Sequence, residues 1–243
     1  MLKGYLPALL LLTAALAAPA LQATTLRDFE ATYILRLGSL RIGTSTLTLQ
    51  TETDGSYRYE SHSWPTRWVS WLLKDQLRET SRGRITPAGI RPDKYHYLRD
   101  GGDKKREAHL SFNWDEHTVR NHVEGSLWEM DIPTGTIDKL ASQLSMMLAL
   151  QQDKKDVTFN IADGGHLKEY RYKVVGHETL EVPAGTFETV KITKLRDNKK
   201  RVTYVWCAPA LNYLPIRIWQ RETDDSVYTS DLESFSETLR VVP

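Results

Sequence analysis

The chain has 243 residues and carries 32 basic against 31 acidic side chains, for a formal net charge of +1. This balance argues against a general nucleic-acid-binding protein, which needs a clearly basic face. The only cysteine, Cys207, cannot form a disulfide within the chain. Its apolar neighbours favour a buried, unreactive thiol.

The first residues predict a secretory signal peptide. An apolar run of Leu and Ala follows Lys3, and small residues lead to Ala23. An export signal typically begins with a basic residue, continues with an apolar run and ends with small residues at the cleavage site. The run is short for a membrane span, which needs roughly 20 residues, so cleavage after Ala20 or Ala23 is favoured over an uncleaved anchor. We therefore predict a signal peptide at 1–23, a domain at 24–243, and periplasmic localisation.

After the leader, apolar and polar residues alternate with a period of two, which is typical of β-strands. Turn signals such as Asp54-Gly55 separate the runs, because glycine accepts a positive φ at little steric cost. Strands are predicted at 29–37, 42–49, 57–61, 77–85, 94–98, 107–114, 118–123, 157–161, 168–175, 186–195, 201–206, 215–221 and 227–235. Many short strands joined by short turns predict an all-β antiparallel meander with one or two short helices, curling into a closed or half-open β-barrel.

One segment breaks this pattern with helical spacing. Apolar residues recur every three to four positions from Ile137 and predict an amphipathic helix over 137–151. Thr136 is a plausible N-cap, and Asp138 lies in the first turn, where the helix dipole favours a carboxylate. We expect this helix to pack on the sheet or in the mouth of the barrel.

A second break is rich in tryptophan. In the segment 64–73, Pro65 can open a helix, which then presents Trp68, Trp71 and Leu72 on one face. Aromatic residues at this spacing beside a sheet are usually core residues. The alternative is a lid over an apolar cavity, or a surface for a partner. The candidate binding residues of this segment are Trp64, Trp68, Trp71 and Leu72.

Two hairpin tips are basic. The runs 99–106 and 194–201 each place two Lys and an Arg beside a tight turn. If both tips lie on one rim, they form a positive collar suited to anionic groups. The alternative is that charged residues at these solvated tips only prevent a sheet edge from pairing with another chain. The candidate binding residues of these tips are Lys104, Lys105, Arg106, Lys199, Lys200 and Arg201.

No motif for catalysis or metal binding is present. The seven histidines fall into no recognised ligand spacing, and His177-Glu178 is followed by Glu181 where a zinc-protease motif needs a second His. No nucleophile elbow and no glycine-rich phosphate loop occurs. The sequence does not exclude a pair of glycosidase carboxylates that come together only in the folded protein. We therefore predict no catalytic residue, no metal ligand and no cofactor.

The C-terminal third resembles a known family. Residues 182–192 contain Pro-Ala-Gly-Thr-Phe-Glu-Thr, residues 204–209 contain Trp-Cys-Ala-Pro, and residues 211–217 contain Tyr-Leu-Pro-Ile-Arg. This succession resembles the exported bacterial proteins grouped as domain of unknown function 3108, apart from Ile216 where Val is usual. The strand pair at 33–49 looks like the same family. The resemblance implies an exported all-β protein, and no established activity comes with it.

Three functions are compatible with these observations. The favoured one is a non-enzymatic protein that holds a lipid or another apolar envelope molecule in a curved sheet. The second is a structural or interaction module that docks an envelope protein through the tryptophan face or an open sheet edge. The third is a hydrolase acting on envelope polysaccharide. The expected partners are thus a lipid or anionic envelope ligand, or an envelope protein; nucleic acid and a membrane span after signal cleavage are not expected.

Overall fold

The computed structural model describes residues 26–68, 70, 74–102, 105–196 and 201–237, so the predicted signal peptide at 1–23 lies outside it. The described residues contain one α-helix, α1 (Ala141–Gln151), and a single 3₁₀ turn at Pro209–Leu211. Their strands are β1 (Phe29–Leu37), β2 (Leu40–Thr51), β3 (Ser56–Pro65), β4 (Gln76–Thr86), β5 (Gly89–Asp100), β6 (Arg106–Asn113), β7 (Thr118–Val123), β8 (Ser126–Asp131), β9 (Ile137–Asp138), β10 (Asp156–Asp163), β11 (His166–Val182), β12 (Gly185–Leu195), β13 (Val202–Ala208), β14 (Leu214–Arg221) and β15 (Val227–Glu237).

These strands form one sheet made of two meanders. One meander runs from β1 out to β8, the other runs from β15 out to β9, and the two join where β1 pairs antiparallel with β15. Neighbouring strands are antiparallel except β9 and β10, which are parallel. The all-β class predicted from the sequence is confirmed.

The length of one connection forces the sheet to curl. β8 and β9 are the two outermost strands, and only residues 132–136 connect them. A flat sheet of this many strands is about 65 Å wide, whereas such a connection spans at most about 20 Å. The two ends therefore lie close together, and the indole N–H of Trp128 in β8 donates to the carbonyl oxygen of Gly165 beyond β10 at 3.3 Å. β8 and β9 do not pair in the described residues, so the sheet is barrel-like but not closed.

The inner face of this curved sheet carries the apolar core. Alternation along the strands turns one set of side chains inward, as the strand period requires. Phenylalanine, tyrosine and branched aliphatic residues fill it, and each fully buried side chain of this size stabilises the fold by roughly 1.5–3 kcal/mol. The core includes Phe29, Leu49, Tyr59, Leu110, Leu144, Met147, Ile161, Leu214, Ile216 and Leu232.

The helix begins later than the sequence predicts. It starts at Ala141 rather than Ile137, and Thr136 is not its N-cap, because Leu140 occupies that position without a side-chain hydrogen bond. Ile137–Asp138 instead form β9, which pairs with β10. The spacing of apolar residues cannot reveal such a short strand, since only one of its two residues, Ile137, is apolar.

The helix is also not amphipathic. All its residues are buried except Ser142, Gln143 and Gln151, which are half-buried. Because none of its residues is exposed to solvent, the helix needs no polar face, and the small Ser145 is buried within it. No helix in the described residues has the length and apolarity that a membrane span requires.

Pro65 does not open a helix in the tryptophan segment. Trp64 and Pro65 are the last residues of β3, where Pro65 pairs with Gly43 of β2. A Cβ atom on Gly43 would lie 2.7 Å from the carbonyl oxygen of Trp64, so glycine permits this close pairing. A turn follows, in which the N–H of Ser70 donates to the Thr66 carbonyl at 2.9 Å. Trp71 and Leu72 lie outside the described residues.

Candidate functional site

A partly open cavity of about 1100 Å³ lies inside the curved sheet. Its walls come from both meanders and from the N-terminal half of α1, where Ser142, Gln143 and Met146 line it. Leu144 and Met147 of the same helix belong to the packed core. The helix thus divides the interior into a filled part and a hollow part. A cavity of this size accepts a small organic ligand.

Cross-strand pairing builds an apolar floor in this cavity. Ile192 of β12 pairs with Val205 of β13, Val205 with Ile218 of β14, and Ile218 with Ser230 of β15. All four residues line the cavity. Residues directly opposite each other share a face of the sheet, so these neighbouring strands present a continuous and mainly aliphatic row.

The next rows toward the β12–β13 hairpin tip are polar and basic. Two residues after Ile192 comes Lys194, and two residues later Arg196; both therefore share its face and line the cavity. Arg201 lies on the returning side of the same hairpin. The wall thus changes from aliphatic to cationic within a few residues. This gradient matches a ligand with an apolar body and an anionic head.

The surroundings of Lys194 disfavour its charged form, mainly through burial. Its ammonium group lies over the rings of Tyr170 and Tyr172. Burial and the Arg196 guanidinium lower the pKa of Lys194 to about 7. Lys168 and Lys139 contribute to this lowering, and Asp163 opposes it. An anion bound here would restore the charged form of the lysine.

Arg196 is also only partly satisfied. Its Nη2 donates to the Thr203 hydroxyl at 3.3 Å, but its buried Nε has no hydrogen-bond partner in the described residues. Burial and the nearby Arg201 lower the pKa of Arg196. Arg201 itself is bonded to Glu222. Arg196 therefore has unused hydrogen-bonding capacity within the cavity wall.

The acidic residues of the cavity are bonded to groups other than Lys194 and Arg196. Asp163 accepts a hydrogen bond from the ammonium group of Lys168 at 2.7 Å. Burial acts to raise the pKa of Asp163, but the bond to this cation holds it below its usual value. Glu79 accepts from Tyr95 at 2.6 Å and from Lys139 at 3.4 Å. The carboxylates are thus engaged, whereas among the described residues neither Lys194 nor Arg196 has a carboxylate partner.

A buried polar network fixes the start of the helix beside the cavity. Asp138 is fully buried, accepts from the Ser81 hydroxyl at 2.5 Å, and accepts from the N–H of Ala141 at 2.8 Å. Tyr57 is hydrogen-bonded to Ser81 at 2.8 Å. Burial raises the pKa of Asp138 to about 7, against the two hydrogen bonds and with the help of Glu79. Asp138 does not line the cavity, and its contacts position α1.

A second, smaller depression of about 570 Å³ lies on another part of the surface. Three of its charged residues are paired with one another, because Arg36 and Arg217 both bond to the buried Asp231. The charges are thus already compensated, and we assign this depression a structural role.

Trp64 and Trp68, the described members of the predicted tryptophan segment, do not line the cavity. Trp64 is half-buried, with its ring centre 4.9 Å from that of His62. Trp68 is 55% exposed in the turn after β3. Trp71 and Leu72 lie outside the described residues.

The two basic tips differ in their placement. Lys105 and Arg106 are exposed and paired with Glu107 and Glu124 at 2.9 and 3.5 Å, away from the cavity lining. Arg201 does line the cavity. The remaining predicted residues of the tips, Lys104, Lys199 and Lys200, lie outside the described residues.

The sequence reading did not single out Lys194 and Arg196 from the run 194–201. A signal was available, because Ile192, Lys194 and Arg196 are spaced by two and hence share one face of the strand. The sequence does not reveal how β12 pairs with β11 and β13. This pairing decides whether that face lies on the inner side of the curved sheet.

Three solved structures resemble this fold. A β-barrel-like protein of Brucella abortus, from domain of unknown function DUF1849, has a TM-score of 0.55 at 8% identity, covering 87% of this chain and 98% of its own. A Parabacteroides distasonis protein thought to be a lipoprotein has a TM-score of 0.33 at 11% identity, covering 87% and 96%. A Bacteroides fragilis protein thought to be exported, with a YmcC-like fold, has a TM-score of 0.35 at 11% identity, covering 87% and 97%. The first supports a barrel-like fold.

Among curated proteins, none matches this sequence. The family comparison is positive: the model described as protein of unknown function (DUF3108) matches residues 28–233, which includes all strands except the last residues of β15. This agrees with the resemblance of the C-terminal motifs. The chain therefore belongs to the DUF3108 family.

Proposed function

We propose that this protein binds an amphipathic, anionic envelope molecule, such as a lipid with a negatively charged head group, in the cavity of its curved sheet. The observation that carries the proposal is the placement of Lys194 and Arg196, without carboxylate partners among the described residues, beside the aliphatic row of Ile192, Val205 and Ile218. The proposal includes export through the predicted signal peptide at 1–23 and function of residues 24–243 as one domain.

The electrostatics favour an anion over a neutral ligand. Two neighbouring cations that are partly desolvated repel each other, and burial lowers the pKa of both. An anionic head group would bond to both and relieve that repulsion, with charge-assisted hydrogen bonds worth roughly 1.5–3 kcal/mol each. The unpartnered Nε of Arg196 supplies one donor for such a bond.

The cavity is less suited to hydrolysis. Its lining contains no histidine in the described residues, so it has no Ser-His pair. Of its carboxylates, Glu79 and Asp163 are bonded to lysines, and Glu169 lies 3.6 Å from Arg171. A general acid and base in this cavity would first have to leave these partners.

The first experiment is native mass spectrometry on the mature protein, purified from the periplasm without detergent, followed by organic extraction. We expect a reproducible additional mass that is released as an anionic lipid. The measured mass of the polypeptide also tests cleavage near Ala23. A polypeptide without additional mass moves the test to direct titration.

In that titration, lysophosphatidylglycerol is compared with lysophosphatidylcholine of the same chain length. The anionic lipid should bind more tightly, and Lys194→Met or Arg196→Gln should weaken its binding by roughly 10–100-fold, the equivalent of one charge-assisted hydrogen bond. Lys173→Met, which removes an exposed lysine of β11, is the matched control and should bind as the wild type does. Equal affinity for both lipids in the wild type would contradict the proposal.

A second candidate is the docking of an envelope protein, which the exposed Trp68 favours. A large aromatic residue that is 55% exposed is a typical anchor of a protein interface. A photo-crosslinking residue at Trp68 should then capture one discrete partner in intact cells, whereas the same residue at Leu40, which is 45% exposed, should not. Equal capture at both positions would contradict a specific docking surface.

A further inference from the structure

Three histidines lie side by side on the outer face of the sheet. His96 of β5 pairs with His109 of β6, and His109 pairs with His122 of β7. Their neighbours along the strands, among them Tyr95 and Leu110, are buried in the core, so the strand alternation turns the histidines outward. The sequence spacing does not reveal this row, because only the strand register aligns its members.

One carboxylate completes this cluster. Oε1 of Glu107 lies 3.0 Å from Nε2 of His96 and 3.1 Å from Nε2 of His109. The three ligand atoms all lie within 4.8 Å of one another. Oε2 of Glu107 is bonded to the ammonium group of Lys105 at 2.9 Å, which leaves Oε1 directed at the two rings. His122 is more remote, its ring centre 6.1 Å from that of His109.

From this arrangement we infer a binding site for a divalent transition-metal ion, such as Zn²⁺ or Cu²⁺, formed by His96, His109 and Glu107. Zinc binds to histidine nitrogen and carboxylate oxygen at about 2.0–2.2 Å, so two ligand atoms of one ion lie about 3.0–3.5 Å apart. The distances from Glu107 to both histidines fall in this range. Imidazole nitrogen suits Zn²⁺ and Cu²⁺, whereas Mg²⁺ prefers an all-oxygen shell.

The histidine rings can adapt to such an ion. They are stacked, with centres 4.1 Å apart and an angle of 9° between their planes. To direct both Nε2 atoms at one ion, the rings must tilt toward each other. The side chains of His96 and His109 are 38% and 47% exposed, so this rotation meets little packed core. Water molecules would complete the coordination sphere from the solvent side.

The test is calorimetric titration of the full chain, prepared without a polyhistidine tag and freed of metal by chelation, with Zn²⁺ and separately with Mg²⁺. We expect one equivalent of Zn²⁺ to bind and Mg²⁺ not to bind. His96→Ala, His109→Ala and Glu107→Gln should each weaken Zn²⁺ binding by more than about tenfold, a loss that even outer partners of a metal site cause. His177→Ala, at an exposed position of β11, is the matched control and should bind as the wild type does.

Electron paramagnetic resonance of the Cu²⁺-loaded protein gives an independent readout, since two coordinating imidazoles split the signal and His109→Ala should remove one nitrogen from it. Wild-type affinity in all three site variants would overturn the inference. An equal loss in the site variants and in His177→Ala would overturn it as well. Circular dichroism of each variant establishes that a loss of binding does not come from unfolding.

Discussion

Replacement of Asp138 by Asn should stabilise the protein at pH 8 and remove a dependence of stability on pH. Asp138 is fully buried beside the start of α1, and burial raises its pKa from 3.8 to about 7. A carboxyl group with a raised pKa in the folded state stabilises the fold most below its unfolded pKa, and this contribution is lost as the pH rises through 7. Asparagine retains an oxygen for the N–H of Ala141 and a partner for Ser81, but has no charge to bury.

The magnitude follows from the two pKa values. With 3.8 in the unfolded state and about 7 in the folded state, ionisation of Asp138 lowers the free energy of unfolding by about 2–3 kcal/mol between pH 5 and pH 8. No allowance for solvent screening is needed, because the side chain is fully buried. The free energy of unfolding of the variant relative to the wild type should therefore rise by this amount over the same range.

The assay is urea denaturation of both proteins at pH 5 and pH 8, followed by tryptophan fluorescence. Other groups titrate in both proteins and cancel in the difference. Asp156→Asn, which changes an exposed carboxylate at the start of β10, is the matched control and should show no such trend. A difference between Asp138→Asn and the wild type that is the same at both pH values would refute the reasoning, because Asp138 would then not change its ionisation.

Three further predictions follow from named atoms. Binding of lysophosphatidylglycerol should weaken as the pH rises above 7, by at most about tenfold per pH unit. The reason is that the pKa of Lys194 is about 7, so the lysine must take up a proton to bind the anion. Calorimetry at pH 6, 7, 8 and 9 checks this, and an affinity that does not change with pH would contradict it. Gly83→Ala should lower the free energy of unfolding by about 3 kcal/mol, since a Cβ at this position would lie 2.1 Å from the Arg91 carbonyl oxygen. A Cβ at Gly176 would have no atom within 4 Å, so Gly176→Ala should leave the free energy of unfolding nearly unchanged in the same urea assay. Cys207 is fully buried with a raised pKa, so a thiol reagent should label it only after unfolding; rapid labelling of the native protein would show that the β13 region opens.

Local sequence pattern identified most of the strands, because a half-buried strand leaves a signature of period two. β1 and β7 have the predicted bounds, at Phe29–Leu37 and Thr118–Val123. β8 was missed, since it forms an edge of the sheet and its Leu127 is 68% exposed, so that apolar and polar positions do not follow burial there. β9 was absorbed into the predicted helix because it has only two residues.

The site was less predictable than the strands. The sequence predicts a basic binding tip within the run 194–201, and Arg201 of that tip does line the cavity, but the sequence alone does not place Lys194 and Arg196 there as well. The histidine cluster was missed altogether. Both depend on which residues face each other across strands, and a shift of register by one residue would move every side chain to the opposite face.

The sequence by itself determined the class of this protein: charge near neutrality, a predicted export signal, period-two alternation and the C-terminal motifs of its family. The net charge is a sum over the chain, and the other features are local patterns that lie within short stretches of sequence. The tertiary structure decided that the sheet curls, that α1 divides its interior, and that Lys194 and Arg196 lie beside an aliphatic row without a carboxylate partner in the described residues. The physical reason is that such features depend on distances between residues far apart in the chain, which strand pairing and burial set together.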